Sequence, residues 1–555
     1  MAAGEIAGLA TAGRAPRGSA EGHFAADGAL GGTVVVATAG DAETLFPPLA
    51  VGMTARQVTD LVFEPLAELG AAMNTVGDVG FQPRLARSWT WAADSLAIAF
   101  HLHPRARWHD GVPVTAEDVR FTFAVYRNPA VGSPSAGDVA AVDSVTVRDA
   151  RTAVFWFSRR SPEQFYVAAA RLRILPAHLL ARVPPAELGR SAFARQPVGS
   201  GRFRFAAWAP QRRLEVVADT GHRRGRARLD RVVWTVAPDP AAALALLLSG
   251  AADVFEGVRP EHLGALARRP ELTTVSYPGL QYGYLVFNLA GSASGAPWPL
   301  FAERALRRAL AQALDRPAMV RNVFDTLARV PIGPFTRAQA LVDTTARQLP
   351  FSPVAARRAL DSLGWRSGGA GRARARGGRP LAFTVIVPRS SETRSRFAVL
   401  IQEQLRAVGV EVRVEPLEFT TFMERLRSRR FDAAINGWNL DSPSPWGVRE
   451  LWGSAAARTP GGANHGGYAS AAFDAALDSA QLAATSAVSR RYLGRAIAQI
   501  NGDAPAVWLF EPRPLLAVHQ RLRVHGVRGD AWWAGLADWS VAEGQQLARD
   551  GVGVR

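Results

Sequence analysis

The second half of the chain alternates helical and strand patterns, and this order restricts the possible folds more than any other feature. A helical pattern at residues 395–409 is followed by alternating valines at residues 410–414, and a shorter helix at 419–429 leads into an apolar strand at 431–436. Parallel strands need a crossover connection, usually a helix. The order therefore predicts an α/β lobe built around a sheet with crossover helices.

Local signals elsewhere predict a mixed α/β chain. They rest on β-branched runs, on cap residues at helix ends and on turn residues between strands. The predicted elements are a strand at residues 33–38, a helix that begins at Thr115 with Asp118 as its capping partner, a hairpin of residues 144–147 and 153–157, a helix from Arg304 to Arg316, and a helix between Ser352 and Gly364.

Length and composition exclude several classes of function. A chain of 555 residues exceeds what one hydrophobic core usually supports. All 65 basic residues are arginine, which excludes phosphate loops of the Gly-Lys-Ser/Thr type and Schiff-base chemistry on lysine. The absence of cysteine excludes disulfides, thiolate metal sites and cysteine nucleophiles. Because arginine is used exclusively, beside abundant alanine and glycine, we attribute the net charge of +17 to the coding bias of a GC-rich genome rather than to nucleic-acid binding.

No pattern in the chain assembles a catalytic or metal site. His101, His103 and the pair His109 and Asp110 are of ligand type, but their spacing is also that of a strand followed by a turn, and we favour the structural interpretation. The segment at residues 199–201 lacks the spacing of a hydrolase nucleophile turn. We therefore expect a protein that is not an enzyme and that has no cofactor and no bound metal.

A loop rich in turn formers follows the strand at residues 431–436. We expect the strand to stop at Gly437 and Trp438, and the loop to run from 439 to 446. In open α/β sheets, ligands gather outside the carboxyl ends of the strands. This loop is therefore the first candidate for a binding site.

The chain resembles a known family, the extracytoplasmic solute-binding proteins of ABC importers for peptides and, in some branches, nickel. Its most recognisable segment is WHDGVPVTAEDV at residues 108–119. Other similar segments follow the family's order, although Arg202 and Phe203 depart from its pattern. They are residues 31–36 with 44–47, 85–89, 100–103, 197–201, 248–250, 287–288, 304–316 and 364–365.

The resemblance implies a two-lobed α/β fold of the periplasmic-binding-protein type, with three structural domains and lobes hinged around a ligand cleft. On this basis we expect a flexible leader, a discontinuous core for the first lobe, an accessory domain inserted into it, and a second lobe. The expected bounds are 1–31 for the leader, 32–60 with 196–280 and 510–555 for the first core, 61–195 for the accessory domain, and 281–509 for the second lobe.

The resemblance also implies site residues. The family's Gly-Trp-x-x-Asp element matches Gly437, Trp438 and Asp441, and its aspartate holds the α-ammonium group of a peptide. The alternatives are a turn or cap role for Asp441 and core packing for Trp438. Arg389 lies near the position of a carboxylate-binding arginine, with a surface charge as the alternative, and Asn288 is expected to line the cleft.

Tyr282 and Tyr284 are placed near Asn288 along the chain. They either line the cleft or pack the strand, and we favour packing.

The expected function is capture of a short peptide or similar small solute for delivery to membrane permease subunits driven by separate ATPase subunits. A periplasmic or extracytoplasmic monomer that binds no nucleic acid is implied, although the chain shows neither a signal peptide nor a lipid-anchor cysteine. The alternative is a regulatory or sensory protein on the same scaffold that contacts nucleic acid through its basic surface.

Overall fold

The computed structural model describes residues 30–290, 300–369, 372–440, 442–483 and 485–551. The chain divides into two compact units, one of Met1–Tyr277 with Leu515–Arg555 and one of Pro278–Pro514. Of the predicted leader, residues 1–29 lie outside the described residues. The separation of residues 61–195 as an accessory domain stays a prediction.

The first unit contains most of its elements before residue 277. Its strands are β1 (Thr33–Thr38), β2 (Ala67–Glu68), β3 (Gln82–Pro83), β4 (Ala86–Trp91), β5 (Ala97–Leu102), β6 (Val142–Asp149), β7 (Thr152–Phe157), β8 (Phe203–Ala209), β9 (Arg213–Ala218), β10 (Arg231–Val236), β11 (Val254–Phe255) and β12 (Leu272–Ser276). Its helices are α1 (Met53–Val62), α2 (Ala116–Arg127), α3 (Gln164–Ala170), α4 (Ala177–Leu180), α5 (Pro240–Leu248) and α6 (Leu263–Ala267).

The second unit follows, and the chain then returns to the first. The strands of the second unit are β13 (Gln281–Phe287), β14 (Ala328–Arg329), β15 (Ala375–Arg376), β16 (Arg379–Pro380), β17 (Ala382–Pro388), β18 (Glu411–Leu417), β19 (Ala433–Asn439) and β20 (Ala506–Pro512). Its helices are α7 (Arg304–Gln312), α8 (Arg316–Phe324), α9 (Pro353–Ser362), α10 (Glu392–Arg406), α11 (Phe419–Arg427), α12 (Val448–Trp452), α13 (Ser454–Arg458), α14 (Ala471–Gln481) and α15 (Ser486–Asp503). The returning segment adds β21 (Leu515–His519), β22 (Leu522–Arg523) and β23 (Ser540–Val541).

The first unit is built on a seven-stranded sheet in the order β12-β21-β11-β1-β10-β9-β8 and a four-stranded sheet in the order β4-β5-β7-β6. In the larger sheet β1 is central and runs parallel to both β10 and β11. One continuous apolar core includes Val34 and Trp234 from the larger sheet and Phe100 and Phe155 from the smaller. The two sheets of the first unit therefore share a core.

A buried charge cluster fastens the returning segment to β1. Arg521, which is 1% exposed, donates to Asp253 from Nε over 2.7 Å and to Asp550 from Nη1 over 2.9 Å. Asp253 in turn accepts from the backbone N–H of Val35, and Asp550 from that of Thr33. We call these five residues the buried charge clip. Through Arg521 and Asp550 it joins β1 to residues that lie 488 and 517 positions after Thr33 in the chain.

The second unit has a six-stranded sheet in the order β14-β20-β13-β19-β17-β18. β17 runs parallel to β18 and to β19, with α10 and α11 as the crossover helices between them. The helix-then-strand prediction is thus confirmed. Its physical basis is that each helix buries an apolar face on the sheet, as Phe397 and Ile401 of α10 do.

Two predictions about this unit are wrong. The single helix predicted from Arg304 to Arg316 ends at Gln312, and Asp315 caps a new helix by accepting from the N–H of Ala318. Pro317 has no N–H for a helix interior and fits only a first turn. The strand predicted to stop at Gly437 continues to Asn439, since β13 pairs with it along its whole length.

Candidate functional site

The candidate site lies in the second unit, where β19 has one paired and one open edge. β13 pairs with β19 from Phe287 opposite Ala433 to Gln281 opposite Asn439. On the other side, β17 pairs only with Ala433 and Ala434. Within the described residues, β19 from Ile435 onward therefore has no strand along its second edge.

The register shows which backbone groups face the open edge. Leu440 donates its N–H to Leu280 O over 2.8 Å, and Asn288 donates to Asp432 O over 2.9 Å. In an antiparallel ladder, bonded and non-bonded residues alternate along each strand. By this alternation, Gly437 and Asn439 direct their N–H and C=O groups away from β13. The open edge of β19 can therefore accept one more extended strand.

Arg394 lies beside this edge. It belongs to the first turn of α10, which begins after the carboxyl end of β17, and the N-cap Ser391 accepts from its N–H. A Cβ built on Gly437 would lie 3.7 Å from Nη2 of Arg394. No carboxylate in the described part of the chain forms an ion pair with Arg394, and burial lowers the pKa of its guanidinium. The open edge therefore carries an uncompensated positive charge.

The face of the sheet away from α10 is aromatic near the site. Tyr282 and Tyr284 are 0% and 1% exposed, and their rings pack against Trp508 and Trp452. Trp452 Nε1 donates to the Tyr282 hydroxyl over 3.1 Å. The interpretation of the two tyrosines as strand packing is confirmed.

Trp438 stands at the end of this aromatic face. It is half-buried and stacks on His465, with 5.7 Å between the ring centroids and 13° between the planes. His465 is 5% exposed. Burial, together with Arg427 and Arg429, lowers its pKa to about 4. A neutral imidazole therefore supports one face of Trp438 at neutral pH.

His465 should make the stability of the protein depend on pH. The unfolded state takes up a proton near pH 6.5, whereas the folded state resists it until about pH 4, so stability is lost as the pH falls between these values. The shift corresponds to roughly 3 kcal/mol at most. We expect His465→Phe, which keeps an aromatic ring against Trp438, to equal the wild type at pH 7 and to lose less stability by pH 4.5. Denaturant unfolding at both pH values measures this, and parallel losses would refute the assignment.

The other predicted site residues, Asp441, Arg389 and Asn288, have different surroundings in the structure. Asp441 lies outside the described residues. Arg389 is 68% exposed and forms an ion pair with Glu418 over 3.3 Å, as a surface charge would. Asn288 is 2% exposed, and its amide donates to the carbonyls of Arg429 and Phe431. Ligand contacts by Arg389 and Asn288 stay predictions. Gly437 and Trp438 both lie in the part of β19 that has an open edge.

Two residues at the site escaped the sequence reasoning. Arg394 is one of 65 basic residues and stands in a helix pattern that looks like any solvated face. His465 stands 27 positions after Trp438 with no pattern to connect them. Only the register of β13 against β19 and the packing around Trp438 could reveal them.

The residues considered as metal ligands are engaged by the protein. His109 contacts the carbonyl of Gly201 over 2.9 Å, and Asp110 contacts His178 over 2.7 Å. His101 lies 3.1 Å from the Thr90 hydroxyl on the neighbouring strand. The described residues contain no group of three or more histidine, aspartate or glutamate side chains placed to hold a metal.

The chain is similar to known proteins in sequence and in fold. A family model described as "Bacterial extracellular solute-binding proteins, family 5 Middle" matches residues 80–459. A curated relative, the oligopeptide-binding protein AppA of Bacillus subtilis, is 25% identical over 519 residues, which cover 91% of this chain and 92% of AppA.

Solved structures share the fold. The structure of Bacillus subtilis AppA in complex with a nonapeptide has a TM-score of 0.73 at 24% identity and covers 93% of this chain and 100% of its own. The substrate-binding protein CtaP of an ABC transporter from Listeria monocytogenes has a TM-score of 0.79 at 21% identity, with coverage of 92% and 100%. The two-lobed binding-protein fold expected from the sequence is confirmed.

Proposed function

Because this chain belongs to family 5 of the bacterial extracellular solute-binding proteins, we propose that it is the substrate-binding component of an ABC importer and captures short peptides. The observation that carries the proposal is the open edge of β19, where Gly437 and Asn439 turn their backbone groups outward. A peptide added to that edge would be bound by its own backbone, which every sequence shares.

The glycine at position 437 suits this role. Its lack of a side chain leaves room between β19 and Arg394, because a Cβ there would lie 3.7 Å from Nη2 of Arg394. A larger residue would bring its side chain toward the guanidinium. The backbone of β19 and the charge of Arg394 are thus both reachable by one extended ligand.

Arg394, rather than Arg389, is our candidate for the carboxylate end of the peptide. A guanidinium satisfies a planar carboxylate with two parallel hydrogen bonds, and Arg394 has no carboxylate of the protein to compete for it within the described residues. Arg389 already faces Glu418. We propose Asp441 for the α-ammonium group and Trp438 as an apolar wall against the peptide.

The working cycle involves no covalent chemistry. Members of this family are extracellular solute-binding proteins rather than enzymes. We propose that the protein acts outside the cytoplasmic membrane as a monomer, binds no nucleic acid, and presents its peptide to permease subunits driven by separate ATPase subunits. None of the described helices is both long and apolar enough to span a bilayer.

Thermal unfolding with a panel of peptides of two to nine residues tests the proposal. Ligand at 100 times its Kd adds about 2.7 kcal/mol to the stability of the folded state, so binding peptides should raise Tm. Mass spectrometry of the solute released from the purified protein should show peptides. A panel without any shift, together with a released solute that is not a peptide, would contradict the proposed function.

Variants of the two arginines sharpen the test. Arg394→Gln should weaken binding of peptides with a free carboxylate at least about tenfold, equivalent to about 1.4 kcal/mol, and should bind amidated peptides as the wild type does. The matched control, Arg389→Gln, should leave both affinities unchanged. If calorimetry shows the loss in Arg389→Gln instead, the carboxylate lies at the residue first chosen from the sequence.

A further inference from the structure

Glu256 in the first unit is a carboxylate held in a fixed orientation by neutral groups. It follows β11 directly, and its Oε2 accepts from Gln57 Nε2 over 2.6 Å and from Trp532 Nε1 over 2.7 Å. Gln57 is fully buried, and its own Oε1 accepts from Trp234 Nε1 over 2.6 Å. Gln57 is thus itself held in place, and Trp532 belongs to the same apolar core as Trp234.

The second oxygen of this carboxylate is free. Within the described residues no donor reaches Oε1 of Glu256, and this oxygen is not among the enclosed polar atoms that lack a partner. The residue is half-buried. Oε1 is therefore accessible from outside while Oε2 is anchored.

The negative charge of Glu256 also lacks a counter-ion. Two other buried acids of this unit have arginines: Asp253 has Arg521 at 2.7 Å, and Glu64 has Arg223 at 2.7 Å. No arginine of the described part forms an ion pair with Glu256, and burial raises the pKa of its carboxyl group. The chain has 65 basic residues, yet none in its described part pairs with this oriented carboxylate. The geometry therefore points to a cation from a ligand.

The position of Glu256 fits a binding role. β11 runs parallel to β1, and β1 runs parallel to β10, so the carboxyl ends of three strands meet at the edge where Glu256 stands. Ligands of open α/β sheets collect at that edge. Trp532 borders the carboxylate, and burial, together with the charge of Glu256, raises the pKa of the half-buried Tyr277 hydroxyl. A long alkyl-ammonium or guanidinium side chain matches such a carboxylate flanked by rings.

From this geometry we infer that Oε1 of Glu256 accepts a hydrogen bond from a cationic side chain of the solute, so that the preferred cargo is a peptide containing lysine or arginine. The inference rests on the proposed function, because it assumes that the solute is a peptide. It adds a charge preference to recognition of the peptide backbone, which every sequence shares.

Paired peptides test this inference. Each pair consists of two alanine-based peptides of the same length, between three and nine residues, with lysine or norleucine at the same position. Calorimetry compares the affinities of the two peptides, and the position is varied from pair to pair. For the wild type, lysine at one position should improve affinity at least about tenfold over norleucine. Glu256→Gln keeps an acceptor for Gln57 and Trp532 but lacks the charge, so it should bind both peptides with the norleucine affinity.

The matched control is Glu261→Gln, which removes an exposed carboxylate of the same unit and should retain the lysine preference. If peptides bind but the wild type shows no lysine preference, or Glu256→Gln keeps it, the inference is wrong and the proposed function stands. If no peptide of the series binds, both fail.

Discussion

Replacement of Arg521 by methionine is expected to lower the free energy of unfolding of the first unit by about 3–5 kcal/mol, because it leaves charged groups of the buried charge clip without their partner. Asp253 is 0% exposed and Asp550 is 8% exposed. Without Arg521, the donors that Asp550 keeps among the described residues are the backbone N–H groups of Thr33 and Leu547. Arg549 already donates to Asp253 over 2.6 Å.

Denaturant unfolding monitored by tryptophan fluorescence measures this loss. Arg523→Met is the matched control, because Arg523 lies two residues further along and is exposed; it should change stability by less than about 0.5 kcal/mol. Asp550→Asn combined with Arg521→Met should recover part of the loss, since it removes the stranded charge. Equal stability of the two single variants would show that the clip contributes nothing net.

Replacement of Asp441 by alanine is expected to weaken binding of peptides with a free amino terminus by about 2–5 kcal/mol. An ammonium group has three donors and no acceptor, and a carboxylate about 4 Å away is worth roughly 4 kcal/mol at an effective dielectric constant near 20. The chain is anchored on both sides of this position. Leu440 donates to Leu280 O, and Ser444 O accepts from Gln339 Nε2 over 2.8 Å.

Calorimetry with free and N-acetylated peptides measures this effect. The acetylated peptide lacks the ammonium group, so it should bind the wild type and Asp441→Ala equally. Asp478→Asn, which removes an exposed charge of the same unit, should leave both affinities unchanged. An unchanged affinity of Asp441→Ala for free peptides would assign Asp441 to the turn instead.

Sequence patterns predicted the fold wherever the signal was local. The β-branched run of β1, the capping pair of Thr115 and Asp118 on α2, and the crossover helix α10 all follow from neighbouring residues. The extent of β19 could not be predicted, because Gly437 and Trp438 are in the strand only through pairing with Gly283 and Tyr282. Glycine and a turn-rich sequence look like a strand end until the partner strand is known.

The candidate site was predictable only in part. The Gly-Trp pair drew attention to Gly437 and Trp438, but the arginine at the open edge is Arg394, five positions beyond the one expected. Glu256 gave no signal, because the residues that hold it, Gln57 and Trp532, are 199 and 276 positions away in the chain. Residues far apart in the chain come together only in the fold, so their contacts cannot be predicted from neighbouring residues in the sequence.

The place of β21 in the first unit has a consequence for biosynthesis. β21 lies between β12 and β11, so β12 has no partner in that sheet until the returning segment exists. At about 5–20 residues per second, a ribosome needs on the order of 10–50 s to proceed from residue 277 to residue 519. During that interval the second unit can complete its sheet, whereas the first cannot. The unit that is begun first is therefore finished last, and a nascent chain stalled before residue 515 would leave it open to chaperones and proteases.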